Sequence, residues 1–429
     1  MTDAHDLLAY LGAAPSPFHA VAETAERLAS AGFSALDLDE PWEQGPGRHY
    51  VARGGALVAW EVPDGAGAAR RFRIVGAHTD SPNLRIKPRP DTGGFGWQQL
   101  GVEVYGGALW NSWLDRDLGL SGRVIVRTPE GLEERLFLVD RPLLRIPQLA
   151  IHLDRDVNGQ GLKLNPQQHL TPVWGAGPVE VGAFAAHLAQ EVGVEAADVV
   201  AWDAMVHDTT PGALLGRHQE LVSSARLDNL VSCWAALTAL TALTAPAAAE
   251  GANRPIGVVC LFDHEEVGST SATGADGALL AQVLERSVLA RGGDRADLLR
   301  AFAGSICASA DMAHATHPNY PERHEPGHLV TIDGGPVIKV NANQRYATEA
   351  STHAVLIEAC EQAEVPHQVF VGRNDQPCGS TIGPLTAARL GIATADLGVA
   401  QLSMHSAREL CGADDPARLA AALGVFLRT

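Results

Sequence analysis

Strand-like and helix-like segments alternate through the C-terminal half of the chain, and this alternation limits the fold more than any other feature. Short apolar runs there are typical of buried strands, and the longer segments between them repeat apolar residues with helical spacing. The predicted order is strand Ile256–Phe262, helix Leu279–Leu289, strand Ile306–Ser309, helix Ser351–Glu361, strand Gln368–Phe370, helix Ile382–Leu390, strand Ile392–Asp396 and helix Ala417–Leu427. This pattern predicts an α/β fold with helices layered against a sheet, an αβα arrangement.

The N-terminal part and the middle third show other patterns. Ser16 can cap a helix that begins at Pro17 and ends before Gly32. Short apolar runs separated by Gly and Pro, which are typical of strands and turns, dominate the middle third. Strands are predicted at Tyr50–Trp60, Arg71–Gly76, Val102–Tyr105, Arg123–Arg127, Arg135–Val139 and Val179–Val181, with one helix at Phe184–Val192 and a longer one within Ser223–Leu243.

The change of pattern along the chain predicts a discontinuous domain. Residues 1–88 and 224–429 would form one discontinuous α/β domain, and residues 89–223 would form a β-rich inserted domain. The loop Asp311–Gly335 is rich in His and Pro and is too long for a simple connection. Long ordered loops tend to carry function, so this loop is expected near a site.

Composition and charge exclude several classes of protein. The 429 residues are 46% apolar and 19% charged, which allows a large buried core. The 32 Lys and Arg against 50 Asp and Glu give a formal net charge of −18, so the basic surface that attracts nucleic acids and anionic membranes is missing. The apolar stretch Trp234–Ala249 is broken by Pro246 and is shorter than the roughly 20 apolar residues of a membrane span. We therefore expect neither nucleic-acid nor membrane partners.

The cysteines and the N-terminus indicate a compartment. None of the six cysteines forms a C-x-x-C pair with another, and the acidic first residues contain no basic region typical of a signal peptide. Disulfides are rare in reducing compartments, where such cysteines stay as thiols. The sequence therefore predicts a cytoplasmic protein.

Five segments place metal-ligating side chains where a predicted strand ends or a helix begins. Their candidate residues are His78 with Asp80, Asp228, Glu265 with Glu266, Asp311 with His314, and His405. Each segment also has an ordinary explanation: a capped turn for His78, a helix N-cap for Asp228, a solvated loop for the glutamates, and a buried core histidine for His405. The occurrence of all five together favours a single site over these separate explanations.

The adjacent pair Glu265 and Glu266 is the most specific single signal. It follows a buried strand, where two uncompensated carboxylates would repel each other. A metal ion resolves this conflict if Glu266 binds it and Glu265 stays free as a catalytic base. Asp80 lies two residues after His78 on an extended chain, so both side chains point the same way and Asp80 can orient the imidazole.

Two imidazoles and three carboxylates suffice for two metal ions if Asp228 bridges them. His78, Asp228 and Asp311 would bind one ion, and Asp228, Glu266 and His405 would bind the other, although the sequence leaves open which outer carboxylate joins which ion. Nitrogen and oxygen ligands without cysteine suit Zn²⁺, with Co²⁺ or Mn²⁺ as substitutes. Three protein ligands per ion leave a position for water, as a catalytic site requires.

Eight segments of the chain resemble the aspartyl aminopeptidase family, and they occur in the order found in that family. They are Ser16-Pro17-Phe18-His19, Ala77-His78-Thr79-Asp80-Ser81-Pro82, Ala225-Arg226-Leu227-Asp228-Asn229, Asp263-His264-Glu265-Glu266-Val267-Gly268-Ser269, Asp311-Met312-Ala313-His314-Ala315-Thr316-His317-Pro318-Asn319-Tyr320, Val337-Ile338-Lys339-Val340-Asn341-Ala342-Asn343-Gln344-Arg345-Tyr346-Ala347-Thr348, Gln376-Pro377-Cys378-Gly379-Ser380-Thr381-Ile382-Gly383-Pro384 and Leu402-Ser403-Met404-His405-Ser406. The resemblance covers essentially the whole chain. It implies a di-zinc exopeptidase with a zinc-exopeptidase-like αβα catalytic domain and an inserted dimerisation domain, assembled from dimers into a tetrahedral dodecamer.

The same resemblance implies roles for residues beyond the five ligands. His152, from the inserted region, would reach the site of a neighbouring subunit and contact metal or substrate there. The implied substrates are peptides with Asp or Glu at the N-terminus, and Lys339 is the candidate for binding that side chain, because an ammonium suits a carboxylate of either length. His314 would have a structural or substrate-contacting role. The ordinary alternatives are a surface strand lysine for Lys339 and an interface histidine for His152.

The implied reaction is hydrolysis of the N-terminal peptide bond by metal-activated water, with Glu265 as general base. Two other functions stay open. A related di-metal amidohydrolase, such as a deacylase of blocked amino acids, would not require a free amine in its substrate. A non-catalytic oligomeric shell protein would show no activity that chelation removes and zinc restores.

Overall fold

The computed structural model describes residues 2–42, 45–243 and 254–429. Its helices are α1 (Thr2–Ala13), α2 (Pro17–Ser30), α3 (Val157–Gln160), α4 (Pro166–His169), α5 (Ala183–Val192), α6 (Leu227–Thr241), α7 (Leu279–Ala290), α8 (Arg295–Ala303), α9 (Ala350–Gln362), α10 (Ile382–Leu390) and α11 (Asp415–Arg428). Its strands are β1 (Ser34–Ala35), β2 (Gly47–Arg53), β3 (Ala56–Val62), β4 (Phe72–His78), β5 (Asn83–Gly94), β6 (Trp97–Tyr105), β7 (Leu118–Thr128), β8 (Gly131–Leu144), β9 (Val173–Ala176), β10 (Val199–Asp208), β11 (Ala213–Leu215), β12 (Leu221–Ser224), β13 (Ile256–Phe262), β14 (Ile306–Ala310), β15 (Ala313–His314), β16 (Val337–Val340), β17 (Gln368–Val371), β18 (Ala393–Gly398), β19 (Ala400–Leu402) and β20 (Glu409–Gly412).

A large sheet lies at the centre of the fold. In the described part of the chain it has nine strands, in the order β1-β2-β3-β13-β4-β14-β18-β16-β17. The four central strands β13, β4, β14 and β18 run parallel to one another. Every residue of β4 and β13 is buried, because a parallel sheet that is covered on both faces leaves no polar face to alternate with the apolar one.

Helices cover both faces of the large sheet. Buried residues of α1, α2, α6, α9 and α11 form an apolar cluster on one face, and buried residues of α7, α8 and α10 form another on the opposite face. Successive residues of β13 alternate between the clusters: Val259 and Leu261 belong to the first, and Val258 and Cys260 belong to the second. The predicted layered αβα fold is confirmed.

The middle of the chain forms a second sheet with a core of its own. Its order is β8-β7-β10-β5-β6-β9, and Phe184 and Leu188 of α5 belong to its separate apolar cluster. β5 begins at Asn83 and therefore crosses the predicted limit between residues 88 and 89. β11 lies within the predicted insertion, whereas β12 crosses its other limit, between residues 223 and 224, and pairs with β20 in a third, small sheet. The limits of an inserted domain stay a prediction.

Most predicted elements are present, and their differences have local causes. Ser16 caps α2 as predicted, its hydroxyl accepting a hydrogen bond from the backbone N–H of His19. The predicted strand Val179–Val181 is wrong, because this segment leads into α5, where the Asp91 carboxylate accepts hydrogen bonds from the backbone N–H groups of Gly182 and Phe184. Helices α1 and α8 and strand β16 lie outside the predicted elements.

The structure also bears on the compartment and membrane predictions. Within the described ranges, no helix is both long and apolar enough to cross a membrane. Residues 244–249 of the apolar stretch Trp234–Ala249 lie outside the described residues. All six cysteines are free thiols, and Cys378 is the one that is not fully buried.

Replacement of Gly398 by Ala should lower the thermal stability. A Cβ atom at Gly398 in β18 would lie 1.7 Å from the carbonyl oxygen of Asp311, so the segment after β14 would have to move. Overpacking of this kind typically costs about 1–3 kcal/mol, which corresponds to a melting temperature several degrees lower. Gly424→Ala in α11 is the control, because outside its own helix no atom of the described residues lies within 4 Å of its Cβ position, and alanine favours a helix. Equal melting temperatures for the two variants would show that β18 accommodates a side chain beside Asp311.

Candidate metal centre

The parallel strands of the large sheet place three of the five predicted segments at one edge. His78 is the last residue of β4, the segment with Glu265 and Glu266 follows β13, and Asp311 follows β14. The strands β13 and β14 flank β4, and the carboxyl ends of parallel strands open on the edge where α/β proteins bind ligands. The first turn of α6 adds Asp228, and the turn between β19 and β20 adds His405.

The five predicted ligands form two groups that share Asp228. In the first group, His78 Nε2 lies 3.4 Å from Asp228 Oδ1 and 3.9 Å from Asp311 Oδ2. In the second group, His405 Nε2 lies 3.6 Å from Asp228 Oδ2 and 3.4 Å from Glu266 Oε2. The ligand atoms of each group lie within 4.8 Å of one another, which is close enough to hold a metal ion. The two oxygens of Asp228 thus face the two imidazoles separately, as in a carboxylate that could bridge two ions.

Glu265 lies at the side of this cluster. Its Oε2 is 4.0 Å from His78 Nε2, and His78, Glu265 and Glu266 form a third group with metal-ligand spacing. Two features favour a free carboxylate over a ligand. The Glu265 side chain is 17% exposed against 4% for Glu266, and the first two groups each supply three ligands without it. Glu265 is therefore the glutamate of this pair that is more accessible from outside the cluster.

The Asp80 carboxylate is fully buried beside the cluster and holds its neighbours in position. Its Oδ1 and Oδ2 accept hydrogen bonds from the backbone N–H groups of Glu265 and Glu266, each at 3.1 Å. Tyr105 donates its hydroxyl to Oδ2 at 2.7 Å. The Nδ1 atom of His78 lies 2.9 Å from the Asp80 backbone carbonyl and 3.4 Å from Oδ1. The main chain and the carboxylate of Asp80 together orient the ring, so that Nε2 faces the other ligands.

Glu409 holds the backbone in position on the other side of the cluster, as Asp80 does on the first. Its side chain is buried, Oε2 accepts a hydrogen bond from the backbone N–H of Asp228 at 3.0 Å, and Oε1 accepts one from the backbone N–H of His405 at 2.8 Å. The Nδ1 atom of His405 lies 3.1 Å from the carbonyl oxygen of Gly107. A carbonyl only accepts, so Nδ1 of His405 carries the proton and Nε2 is free to bind a metal.

Three of the loops around the cluster contain a non-glycine residue in the left-handed backbone region. They are Arg226 with φ 60°, His264 with φ 63° and His405 with φ 68°. This conformation costs roughly 1–2 kcal/mol for a residue with a side chain. It persists only where the surroundings enforce it, and here the hydrogen bonds of Asp80 and Glu409 do so on both sides.

Several carboxylates lie close together in the cluster, and this shifts the pKa values of its residues. Burial raises the pKa of Glu265 to about 8, with the charge of Asp311 adding to the rise and His78 opposing it. Burial and the Asp228 charge raise the pKa of Glu266 well above its usual range. Burial alone would lower the pKa of His405, but the nearby carboxylates of Asp228 and Glu266 raise it to about 10. The negative charge of the clustered carboxylates therefore exceeds the positive charge of the protein groups around them.

Two carboxylate oxygens of the cluster indicate where such a charge would sit. Asp228 Oδ1 and Glu266 Oε1 are buried and have no hydrogen-bond partner. Buried charged oxygens without partners are strongly unfavourable unless an ion satisfies them. The nitrogen and oxygen donors of both groups, together with these oxygens, fit a divalent cation such as zinc.

The remaining predicted residues are placed differently. Lys339 is 2% exposed, and its Nζ lies 3.3 Å from Asp311 Oδ1 and 5.4 Å from the centre of the Tyr346 ring. It is therefore not a surface lysine and reaches the cluster. His314 lines a cavity of about 230 Å³ together with Tyr346 and Phe370. His152 lies in an exposed turn, and in the described part of this single chain no hydrogen bond or ion pair joins it to the cluster.

Sequence reasoning missed Tyr105, Gly107 and Glu409. Glu409 follows His405 by four residues, so its place in the same segment is a signal that could have found it. Tyr105 lies 25 residues from Asp80, and Gly107 lies 298 residues from His405. Contacts between residues so far apart in the chain leave no local pattern.

Comparison with known proteins identifies the family of this chain. Residues 10–427 match the family model described as aminopeptidase I zinc metalloprotease (M18). The chain is 59% identical over 425 residues to the Streptomyces coelicolor protein named "Probable M18 family aminopeptidase 2", and the match covers 99% of this chain and 97% of that protein.

Solved structures show the same similarity. A chain in the cryo-EM structure of the Ape4 and Nbr1 complex has a TM-score of 0.94 and 38% identity, covering 99% of this chain and 85% of its own. A chain of the S. cerevisiae mApe1 dodecamer has a TM-score of 0.85 and 28% identity, covering 99% of this chain and 95% of its own. The chain therefore belongs to the M18 family of zinc metalloproteases and is an aminopeptidase, a hydrolase acting on the N-terminal peptide bond.

Proposed function

We propose that this enzyme removes N-terminal Asp or Glu residues from peptides with two zinc ions, one held by each of the groups that share Asp228. The observation that carries the two-metal part is that Asp228 faces His78 with one carboxylate oxygen and His405 with the other. The acidic specificity is supported by the resemblance to aspartyl aminopeptidases and by the ammonium of Lys339 at the cluster.

The ligand assignment follows from the distances. His405 Nε2 lies 3.4 Å from Glu266, so these two residues would share one ion with Asp228. His78 Nε2 lies 3.9 Å from Asp311, so these two would share the other ion with Asp228. Three protein ligands without sulfur on each ion are typical of catalytic zinc, which keeps a position for water.

Glu265 is proposed as the general base. When bound, the zinc ions would acidify a water molecule and polarise the carbonyl of the scissile bond. Glu265 takes the proton of that water while the water oxygen bonds to the carbonyl carbon. It then gives the proton to the leaving nitrogen as the C–N bond breaks, which returns the carboxylate to its starting form. Asp80 keeps Glu265 in place through the backbone N–H.

Binding of an acidic side chain needs a local positive charge, because the net charge of −18 repels such substrates overall. Lys339 supplies an ammonium beside the cluster, and the Tyr346 ring next to it also lines the cavity that His314 borders. We therefore assign the acidic side chain to this side of the cluster, with Lys339 as its counter-charge and His314 as a further substrate contact.

Self-association is proposed as well, as a tetrahedral dodecamer built from dimers through the middle, inserted region of the chain. Large apolar side chains are exposed there, namely Leu132, Leu136, Leu138, Leu149, Ile151 and Leu153. Exposed apolar surface of this kind is typical of protein interfaces. The mApe1 relative is a dodecamer, and the exposed His152 is available for a neighbouring subunit's site.

The free thiols support a cytoplasmic location.

Replacement of Glu265 by Gln should remove activity without removing metal. We expect kcat to fall by at least about two orders of magnitude, the usual scale for a lost general base. Zinc content should stay that of the wild type. Glu266→Gln is the matched comparison one residue away, and it should lose metal instead. Near-normal turnover in metal-loaded Glu265→Gln would refute the assignment.

Replacement of Lys339 by Leu should change the specificity more than the overall rate. On a chromogenic panel of N-terminal amino acids, kcat/KM for Asp and Glu should fall about 10–100-fold more than for neutral residues, since a contact to a charged group is worth about 1.5–3 kcal/mol. Lys87→Leu removes the same charge from β5 of the second sheet and serves as the control. Equal losses on acidic and neutral substrates would exclude Lys339 from the specificity pocket.

Cleavage of substrates with a blocked amine would favour a deacylase.

Replacement of Glu409 by Gln should weaken metal binding. The neutral amide has one acceptor oxygen, whereas the carboxylate accepts from the backbone N–H groups of both Asp228 and His405. Loss of such a supporting group typically lowers metal affinity 10–100-fold, measured here by zinc competition with a chelator. Glu61→Gln is a matched control, because Glu61 is also buried but lies on β3 beside Arg254. Unchanged zinc affinity in Glu409→Gln would show that Glu409 does not position the ligands.

A further inference from the structure

The segment Tyr105–Gly107 joins the second sheet to the metal centre at three consecutive residues. Tyr105 is the last residue of β6, and its hydroxyl donates to Asp80 Oδ2 at 2.7 Å. A Cβ atom on Gly106 would lie 3.0 Å from Glu266 Cβ. The Gly107 carbonyl lies 3.1 Å from His405 Nδ1. One short segment thus contacts the carboxylate of Asp80 and the two ligands Glu266 and His405.

The Tyr105 contact supports the part of the site that contains Glu265, the proposed base. Asp80 holds the backbone N–H groups of Glu265 and Glu266 with its two oxygens, so the hydroxyl of Tyr105 fixes the carboxylate on which both glutamates depend. The tyrosine is itself held, because the guanidinium of Arg85 on β5 lies 3.7 Å from the centre of its ring.

The Gly106 and Gly107 contacts support the group of ligands formed by Asp228, Glu266 and His405. The Gly107 carbonyl selects the tautomer of His405 that leaves Nε2 free toward Asp228 and Glu266. Gly106 has φ +70°, a conformation that favours glycine, and its lack of a side chain lets the backbone lie against Glu266.

From these contacts we propose that Tyr105 and Gly106 are positioning residues, through which the second sheet sets the metal ligands of the catalytic domain within the same chain. This inference rests on the proposed two-metal function. Tyr105 positions the glutamates through Asp80, and Gly106 with Gly107 positions Glu266 and His405. The second sheet therefore takes part in the metal centre of its own subunit, independently of any role in assembly.

Tyr105→Phe tests the first half of the proposal. We expect zinc affinity 10–100-fold lower by chelator competition, and shifted visible absorption bands in the Co²⁺-substituted protein, because the ligand geometry changes. The control is Tyr10→Phe, which removes another buried tyrosine hydroxyl, bonded to Thr24 at 2.9 Å away from the cluster. It should leave affinity and spectrum unchanged. Wild-type affinity and spectrum in Tyr105→Phe would overturn the proposal.

Gly106→Ala tests the second half. The added methyl group presses on Glu266, so we expect the variant to retain one tightly bound metal per chain where the wild type binds two. Gly101→Ala on β6, the strand that precedes Gly106, is the control, because its Cβ would meet its nearest atom at an ordinary 3.5 Å. Two tightly bound metals in Gly106→Ala would overturn the proposal. A wild-type protein that binds fewer than two metals would instead overturn the proposed function on which it rests.

Discussion

Repulsion between carboxylates is the constraint on which the rest of the structure depends. Asp80, Asp228, Glu266, Asp311 and Glu409 are all largely or fully buried at one edge of the large sheet, and Lys339 is the lysine that offsets part of their charge. Such a concentration of buried acid would oppose folding unless backbone N–H groups, imidazoles and cations compensate it. The surrounding elements are arranged to supply that compensation.

The compensation is divided between two kinds of carboxylate. Asp80 and Glu409 are satisfied by backbone N–H groups and hold the loops, whereas Asp228 and Glu266 keep oxygens without hydrogen-bond partners. Asp80 and Glu409 therefore hold the backbone in place, whereas Asp228 and Glu266 remain available to bind an ion. This division explains how neighbouring acids of the same chemistry can have opposite roles: the environment of each one decides between support and ligation.

The sequence predicts the ligands better than their supports, and the reason is physical. His78, Glu266 and Asp311 follow apolar strands whose buried pattern is visible locally, and parallel strands necessarily bring their ends together. Tyr105 and Gly107 meet the cluster through contacts 25 and 298 residues apart in the chain, which depend on how the second sheet packs against the first. The strand predicted at Val179–Val181 fails for a related reason, since the Asp91 carboxylate ties the next residues to the start of α5.

The left-handed residues Arg226, His264 and His405 indicate which part of the site depends on a bound metal and which does not. Hydrogen bonds from backbone N–H groups to Asp80 and Glu409 hold these loops in their unfavourable conformation. The scaffold is thus pre-organised, unlike that of a zinc finger, which unfolds when its metal leaves. Loss of the ions would therefore destabilise the Asp228 and Glu266 side chains first, since their buried oxygens have no hydrogen-bond partner, while Asp80 and Glu409 would still hold the loop backbones.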